Sequence, residues 1–263
     1  MAANSRIEWT DATWNPVTGC TKISEGCENC YAFTFAERFR GVRGHPYQRG
    51  FDVQLRPERL DLPIRWSDSR MIFVNSMSDL FHEKVPDEFI ARVFSTMNRA
   101  RQHTFQVLTK RAKRLLDIAP SLTWTPNIWQ GVSVENASYR WRINALRKVP
   151  ASTKFLSVEP LIGPVGELDL TDIQWVIVGG ESGPGARPME VEWATSVRDQ
   201  CRRAKVPFFF KQFGTLASNP NPSDPTAKEN GGVSKGGATL HGRLWRQLPR
   251  VTMIKGARVP ASA

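Results

Sequence analysis

Long apolar runs are absent from this sequence. No run approaches the roughly 20 consecutive apolar residues that a membrane-spanning helix needs, and the opening residues MAANSRIEWTD lack the apolar stretch of a signal peptide. A phosphate-binding loop of the form G-x-x-x-x-G-K-S/T is also missing, which excludes the common nucleotide hydrolases on that signal. We therefore expect a cytoplasmic protein that has no membrane partner.

Cysteine is scarce and unevenly distributed. The chain of 263 residues has only four, and Cys20, Cys27 and Cys30 stand within eleven positions of one another, whereas Cys201 is alone. In a reducing compartment, a cluster of this kind indicates metal or redox chemistry rather than disulfides. We interpret Cys201, in the helical pattern RDQCRRAK, as a structural residue.

Acidic residues are fewer than basic ones, 25 against 36, which gives a formal net charge of +11. A positive field favours anionic partners, with nucleic acid or a nucleotide first among them. Two helical patterns after the segments TFQVLT and NIWQGVSVE are rich in arginine and lysine, and neighbouring helices would carry these residues on one outer flank. The alternative is a solvated helical face. The residues predicted to bind nucleic acid are Arg111, Arg114, Arg140, Arg142, Arg147 and Lys148.

Short apolar segments recur between Met71 and Gly214 and predict strands. They are MIFVNSM, TFQVLT, NIWQGVSVE, TKFLSVEP, IQWVIVGGES and PFFFKQFG. Helical periodicity separates them, most clearly in residues 87–101, and also in 110–118 and 192–205. Alternating β and α units imply parallel strands with right-handed crossovers. The fold class is therefore α/β, either a (β/α) barrel of the TIM type, complete or partial, or an open doubly wound sheet.

Polar side chains gather where each apolar segment ends. In parallel β/α folds the carboxyl ends of the strands open on one face, where ligands bind. We call this edge of the sheet the mouth, and its repeated polar character favours the barrel. Its predicted members are Ser76, Ser78, Asp79, Thr109, Lys110, Glu135, Asn136, Glu159, Glu181, Ser182, Lys211 and Gln212.

The composition changes after Gly214. Residues 215–240 are rich in Pro, Asn, Ser, Lys and Gly and predict a mobile loop. LHGRLWRQLPR predicts a short ordered element that returns to the body, and GARVPASA a disordered tail. We therefore divide the chain into a barrel domain with an N-terminal cysteine loop, residues 1–214, and a loop-rich extension, residues 215–263.

The strongest local motif is TGCTKISEGCENCYA, residues 18–32, which we call the cysteine loop. Three thiolates without a fourth cysteine suit a [4Fe-4S] cluster that keeps one iron open. Two alternatives remain. A zinc ion could be completed by His45, His82 or His103, because Cys3His sites are common, or the cysteines could be small buried apolar residues. Gly19 and Gly26 give the backbone freedom to fold the ligands inward.

Two resemblances follow from these motifs. CENCYA resembles the end of the cluster loop in radical S-adenosylmethionine enzymes, particularly the spore photoproduct lyase branch, and FVNSMSDLF and VLTKRAKRLLD are similar to that branch's second and third strands. Nearly the whole chain to Gly214 resembles the phage-associated "gene product thirty-seven/sixty-eight" family. The shared phrases are TWNPVTGC, GCENCYA, NSMSDLFHE, VLTKR, GVSVEN, LSVEPL, VGGESG and FFKQFG. The first cysteine gap is three residues longer than in the usual radical-enzyme motif.

The first resemblance implies a radical-type enzyme that acts on nucleic acid or a nucleotide, with S-adenosylmethionine as cofactor and an electron donor as partner. The cluster would carry the electron chemistry. Cys20, Cys27 and Cys30 would then ligate iron. Ser78, Asp79, Lys110, Glu135 and Glu159 would hold cofactor or substrate, while Lys211 and Glu181 are the catalytic candidates.

Two other functions compete with this hypothesis. In a metal-dependent nuclease or hydrolase, Asp79, Glu135, Glu159 and Glu181 would gather divalent cations around a structural cluster or zinc. The absence of a spaced His-carboxylate signature counts against it. In a non-enzymatic nucleic-acid-binding protein, the metal would be structural and the basic flank would carry the function.

Overall fold

The strands of this protein are short and, in the main sheet, all parallel. The structure, a computed structural model, describes residues 5, 7–221, 223–227 and 236–249. The strands are β1 (Ala12–Trp14), β2 (Val17–Thr18), β3 (Gln54–Leu55), β4 (Met71–Val74), β5 (Thr104–Thr109), β6 (Ile128–Ser133), β7 (Thr153–Val158), β8 (Trp175–Gly179), β9 (Phe208–Gln212), β10 (Thr239–Leu240) and β11 (Arg243–Leu244). Two antiparallel pairs, β2 with β3 and β10 with β11, stand apart from the main sheet.

The main sheet has seven strands in the order β1-β4-β5-β6-β7-β8-β9, and each neighbouring pair is parallel. Spatial order follows chain order without a reversal, whereas a doubly wound sheet reverses direction at a switch point. The sheet is therefore a half-barrel, and the prediction of a partial (β/α) barrel is confirmed. β1, which no apolar run marked, pairs with β4 through Ala12 and Ile72.

Five α-helices accompany the strands: α1 (Tyr31–Glu37), α2 (Asp87–Arg99), α3 (Ala112–Ile118), α4 (Trp141–Arg147) and α5 (Val191–Ala204). α2 buries the apolar face that its periodicity predicted, including Ile90, Val93 and Met97. Asp87 and Glu88 occupy its first turn, where negative charge favours the helix dipole. Within the described ranges, no helix combines the length and apolar character that crossing a bilayer requires.

The two faces of the sheet pack differently. Strand residues that point to the convex face, such as Ile72, Val107 and Leu156, form one large core with the buried faces of α2 to α5. On the concave face, six aromatic residues form a second cluster near the amino ends of the strands. We call this cluster the aromatic floor: Trp9, Phe73, Trp129, Phe155, Trp175 and Phe209. It closes one end of the half-barrel and leaves the mouth at the other.

The described part of the C-terminal extension is bonded to the sheet. Phe210 N donates to Trp245 O (2.8 Å) and Gln247 N donates to Phe208 O (3.2 Å), so residues 245–247 run antiparallel to the edge strand β9. The predicted ordered element in LHGRLWRQLPR corresponds to the antiparallel pair β10 and β11 and to residues 245–247, which follow it. Pairing satisfies backbone groups that an edge strand would otherwise expose. Residues 228–235 of the predicted loop and the predicted tail, 256–263, lie outside the described residues.

Candidate metal and ligand site at the mouth

A buried carboxylate joins three parts of the mouth. Glu135, just after β6, is fully buried. Its Oε1 accepts from Ser24 Oγ of the cysteine loop (2.6 Å) and pairs with Lys110 Nζ, while its Oε2 accepts from Arg142 Nη1 (2.7 Å). Burial alone would raise the pKa of Glu135, but the charges of Lys110 and Arg142 outweigh it and hold the pKa below its ordinary value. Glu135 is therefore an ionised anchor for the cysteine loop.

A buried ion pair joins Asp79, which follows β4, to Arg111, which follows β5. Asp79 accepts hydrogen bonds from Thr109 Oγ1 at 2.7 and 2.9 Å and from Lys110 N at 3.1 Å, and it pairs with Arg111 Nη1 at 3.3 Å. Arg111 then reaches the cysteine loop. Its guanidinium lies 3.4 Å from Cys20 Sγ and 3.1 Å from Thr21 O. The carboxylate of Asp79 thus orients a cation against the first cysteine.

The third anchor follows β8. Arg187 binds both carboxylate oxygens of Glu181, through Nη2 at 2.6 Å and Nε at 2.9 Å. Asn29 Nδ2 donates to the same Glu181 carboxylate (2.8 Å), and Arg187 also donates to Glu25 O (2.8 Å). Burial alone would raise the pKa of Glu181, but hydrogen bonds from Arg187 hold the pKa below its usual value. The cysteine loop is therefore fixed to the ends of β5, β6 and β8.

Glu159 and Lys211 form a pair at the far side of the mouth. Lys211 Nζ lies 3.0 Å from Glu159 Oε1, and both side chains keep part of their surface open, 23% and 14%. Burial lowers the pKa of Lys211, but Glu159 outweighs it and the net shift is upward. Lys110 is similarly open, at 21%. The mouth thus presents two partly exposed lysine side chains, each paired with a glutamate.

Ser78 has a different role from the one that its position predicted. Its Oγ donates to Val17 O (2.8 Å), and the backbone of Ser78 bridges to Gly19. Gly19 has a φ of +84°, and a side chain there would collide with the backbone of Asp52. Ser78 therefore fixes the start of the cysteine loop.

All three clustered cysteines are free and half-buried at the mouth. Gly26 lets the loop approach closely, because a Cβ at this position would lie 2.5 Å from the Glu135 side chain. Burial raises the pKa of Cys20 to about 12, the charge of Asp79 adds to this, and Arg111 opposes it. Without a metal, Cys20 is a protonated thiol and not a reactive thiolate.

The donor set fits a sulfur-bound metal, because three thiols and a neighbouring cation are present. Their positions do not yet form a closed site: in the part of the chain that the structure describes, no three Cys, His, Asp or Glu side chains converge on a common metal position. Ser24 Oγ lies 3.4 Å from Cys27 Sγ and Arg111 lies beside Cys20, so two of the three sulfurs already have polar neighbours.

The histidines considered for a zinc site have other partners. His82 is fully buried, with Nε2 2.9 Å from Thr21 Oγ1 and Nδ1 accepting from Lys84 N (3.0 Å). His45 stacks on Phe39 with ring centroids 3.8 Å apart. His103 Nε2 lies 2.9 Å from Pro63 O. His82 therefore has both ring nitrogens occupied, and within the described residues none of the three histidines forms a metal-ligand group with the cysteines.

The predicted basic flank needs correction. Arg111 and Arg142 are buried, at 9% and 2% exposure, and both point to the mouth. Arg114 is held by Asp87 (2.5 Å) and Arg147 by Asp169 (2.8 Å). Their sequence positions suggested an outer helical face, but buried carboxylates draw the first two inward. Of the six predicted residues, only Arg140 and Lys148 are exposed.

Three residues of this site were missed in the sequence: Ser24, Asn29 and Arg187. Ser24 and Asn29 flank the cysteines, so their place in the motif was the available signal. Arg187 lies in the stretch SGPGARP, which has no distinctive pattern. Its role depends on contacts that only the folded chain makes, with Glu181 after β8 and with the cysteine loop.

Comparison with known proteins adds a family but no activity. A family model described as "Protein of unknown function (DUF5131)" matches residues 4–249, which include the sheet, the cysteine loop and the described C-terminal segment. No curated protein and no solved structure matched the chain. The chain therefore belongs to the DUF5131 family.

Proposed function

We propose that the cysteine loop holds a [4Fe-4S] cluster through Cys20, Cys27 and Cys30, and that the protein is a radical-type enzyme acting on nucleic acid or a nucleotide. One observation carries the proposal: three separate anchors, Arg111, Glu135 and Glu181, fix the loop over the mouth of the half-barrel. Such bonding positions the thiols where a ligand on the concave face would meet them. A merely structural loop would not need buried charge at three strand ends.

The ligand count favours iron–sulfur over zinc. Three cysteines, with both ring nitrogens of His82 already hydrogen-bonded, match a cubane cluster that takes fewer than four protein ligands. Binding would draw the sulfurs together and release their protons, since thiolates are the ligating form. Arg111 would then offset the negative charge beside Cys20. When bound, the cluster would supply the electron needed to cleave S-adenosylmethionine reductively, and a donor protein would provide that electron.

The chain's own residues would hold the organic ligands. Lys110 and Lys211 are partly exposed cations of the mouth, and they suit a carboxylate or phosphate. Glu159 keeps Lys211 charged and positioned. Asp79, Glu135 and Glu181 would not contact the ligands themselves, because protein donors already occupy their carboxylates. They would instead position the basic side chains and the cysteine loop.

The nuclease alternative receives little support from this geometry. Divalent cations bind oxygen ligands that are free to coordinate. Here each of the four candidate carboxylates is already paired with a basic side chain, as Asp79–Arg111, Glu135–Arg142, Glu159–Lys211 and Glu181–Arg187. Freeing Glu135 for a cation would leave the buried Arg142 without its carboxylate partner.

Anaerobic turnover tests the proposal. Reconstituted protein reduced with dithionite should convert S-adenosylmethionine to 5′-deoxyadenosine and methionine, and Cys27→Ala should abolish this conversion. Lys211→Gln should weaken cofactor or substrate binding while the cluster absorbance persists. Protein with an intact cluster that binds no S-adenosylmethionine by calorimetry would overturn the proposal. Metal-dependent DNA or RNA cleavage, lost in Glu159→Gln, would then favour the nuclease.

A further inference from the structure

Helix α1, which directly follows Cys30, leaves its aromatic residues partly exposed, and the Tyr31 hydroxyl donates to Ser76 O at the mouth (2.6 Å). Ala32 and Ala36 are the buried positions of the helix and pack with Phe51. Tyr31, Phe33 and Phe35 are 56%, 41% and 44% exposed. An ordinary amphipathic helix would bury its rings and expose its small residues. The arrangement leaves aromatic surface in water, which marks an interaction site when the residues are contiguous.

The loop after α1 extends this surface. Val42 is 48% exposed. Phe35 lies edge-on to Phe39 and Tyr47, with ring centroids 5.2 and 5.7 Å apart. Lys22 Nζ lies 5.3 Å from the Phe33 ring centroid. Six of the ten exposed large apolar residues of the described chain fall between Ile23 and Leu55. Exposed large apolar side chains, three of them aromatic, are therefore concentrated in this segment of the chain.

Positive charge accompanies the rings. Residues 31–56 contain five arginines and two carboxylates. Both carboxylates pair with Arg40, at 2.6 Å from Glu37 and 3.1 Å from Asp52. Arg38 and Arg43 are exposed, and within the described residues neither side chain has a hydrogen-bond or ion-pair partner. We call the set Tyr31, Phe33, Phe35, Arg38, Val42 and Arg43 the arginine–aromatic surface.

We propose that the arginine–aromatic surface binds single-stranded nucleic acid and guides it to the mouth. Exposed rings interleaved with unpaired guanidinium groups provide both elements of such sites, stacking for bases and cations for the backbone. An uncharged protein surface would use the rings but would leave Arg38 and Arg43 without partners. The inference deepens the proposed function, because it names the substrate class of the same mouth.

Fluorescence anisotropy with labelled oligothymidylate and oligouridylate tests the inference. Phe33→Leu with Phe35→Leu keeps the surface apolar but removes two stacking faces, and should weaken binding by roughly tenfold or more. Arg38→Gln with Arg43→Gln should lower the slope of log affinity against log salt by about 1.4, since each single-strand phosphate contact contributes about 0.7. A preference between the two probes identifies DNA or RNA.

The matched control is Arg140→Gln with Lys148→Gln, which removes the same charge from the exposed part of the α3–α4 flank. It should change affinity by less than about threefold. A larger loss in this control than in the two double variants of the arginine–aromatic surface would overturn the inference. So would unaltered binding in both of those double variants, or concentration-dependent dimerisation that only Phe33→Leu with Phe35→Leu abolishes.

The outcome is separable from that of the proposed function. Cluster absorbance is recorded on each sample before binding is measured. If cluster absorbance is intact and oligonucleotide binding is unaltered in the variants of the arginine–aromatic surface, the binding inference is refuted and the proposed function is not. Retained binding in Cys27→Ala, together with a wild-type protein that lacks a cluster, refutes the proposed chemistry alone.

Discussion

The two ends of the concave face use the same strands for opposite purposes. Along β7 the inward side chain changes from Phe155 in the aromatic floor to Glu159 at the mouth, and along β9 it changes from Phe209 to Lys211. Aromatic packing stabilises the floor. At the mouth, charges are removed from water and kept by partners, an arrangement that generally costs stability. The floor is therefore the stabilising end of the concave face, whereas the mouth carries buried charges at a cost in stability.

The largest expected effect comes from breaking the floor. The Trp175 ring lies about 6 Å from each of four other floor rings, and its Nε1 donates to Gln247 O (2.9 Å). Trp175→Ala should lower the free energy of unfolding by about 4 kcal/mol, because a large cavity forms. Urea denaturation followed by circular dichroism measures this. Trp141→Ala, at a 41% exposed position, is the control and should cost less than about 1 kcal/mol. Equal losses would mean that the floor is not a packed core.

A smaller effect is expected at the mouth. Glu135→Gln removes the negative charge between Lys110 and Arg142, so the free energy of unfolding should fall by about 3 kcal/mol. The control is Glu28→Gln, which breaks a pair with Arg187 in which the Glu28 side chain is 60% exposed and should cost less than about 1 kcal/mol. A cost for Glu135→Gln no greater than that of the control would show that the anchor does not hold the loop.

The predicted strands agree well with the structure because they rest on local patterns. TFQVLT is β5 residue for residue, and the segment MIFVNSM contains β4, Met71–Val74. A buried parallel strand needs a continuous apolar run, and the sequence displays it directly. β1 escaped prediction because ATW is too short to form such a run, and only its pairing with β4 makes it a strand.

The site was less predictable, because its geometry depends on contacts between distant residues. Arg111 and Arg142 have the spacing of an outer helical face, yet Asp79 and Glu135 draw them to the mouth. Arg187 meets Glu28 across 159 positions of sequence. The composition predicts the positive net charge of the chain, but it does not show which guanidinium groups are buried and which are exposed.

The smallest effect concerns acid. The pKa values of Glu135 and Glu181 are lowered in the folded state, so below the unfolded value of about 4.3 the unfolded chain binds more protons. Their stabilisation is therefore complete above that pH and is lost as the pH falls toward the lowered values. Glu181→Gln should reduce the slope of the free energy of unfolding against pH, on the acid side, by up to about 1.4 kcal/mol per pH unit. Urea denaturation between pH 3 and 6 measures the slope, and an unchanged slope would contradict the assignment.

Iron content after anaerobic purification tests the central claim most directly. The wild-type protein should be brown and contain about four irons per chain, as one cubane cluster requires. Alanine at Cys20, Cys27 or Cys30 should each remove the colour and the iron, whereas Cys201→Ala, at a buried position in α5, should retain both. Stoichiometric zinc without visible absorbance, or iron that survives the loss of Cys27, would contradict the account.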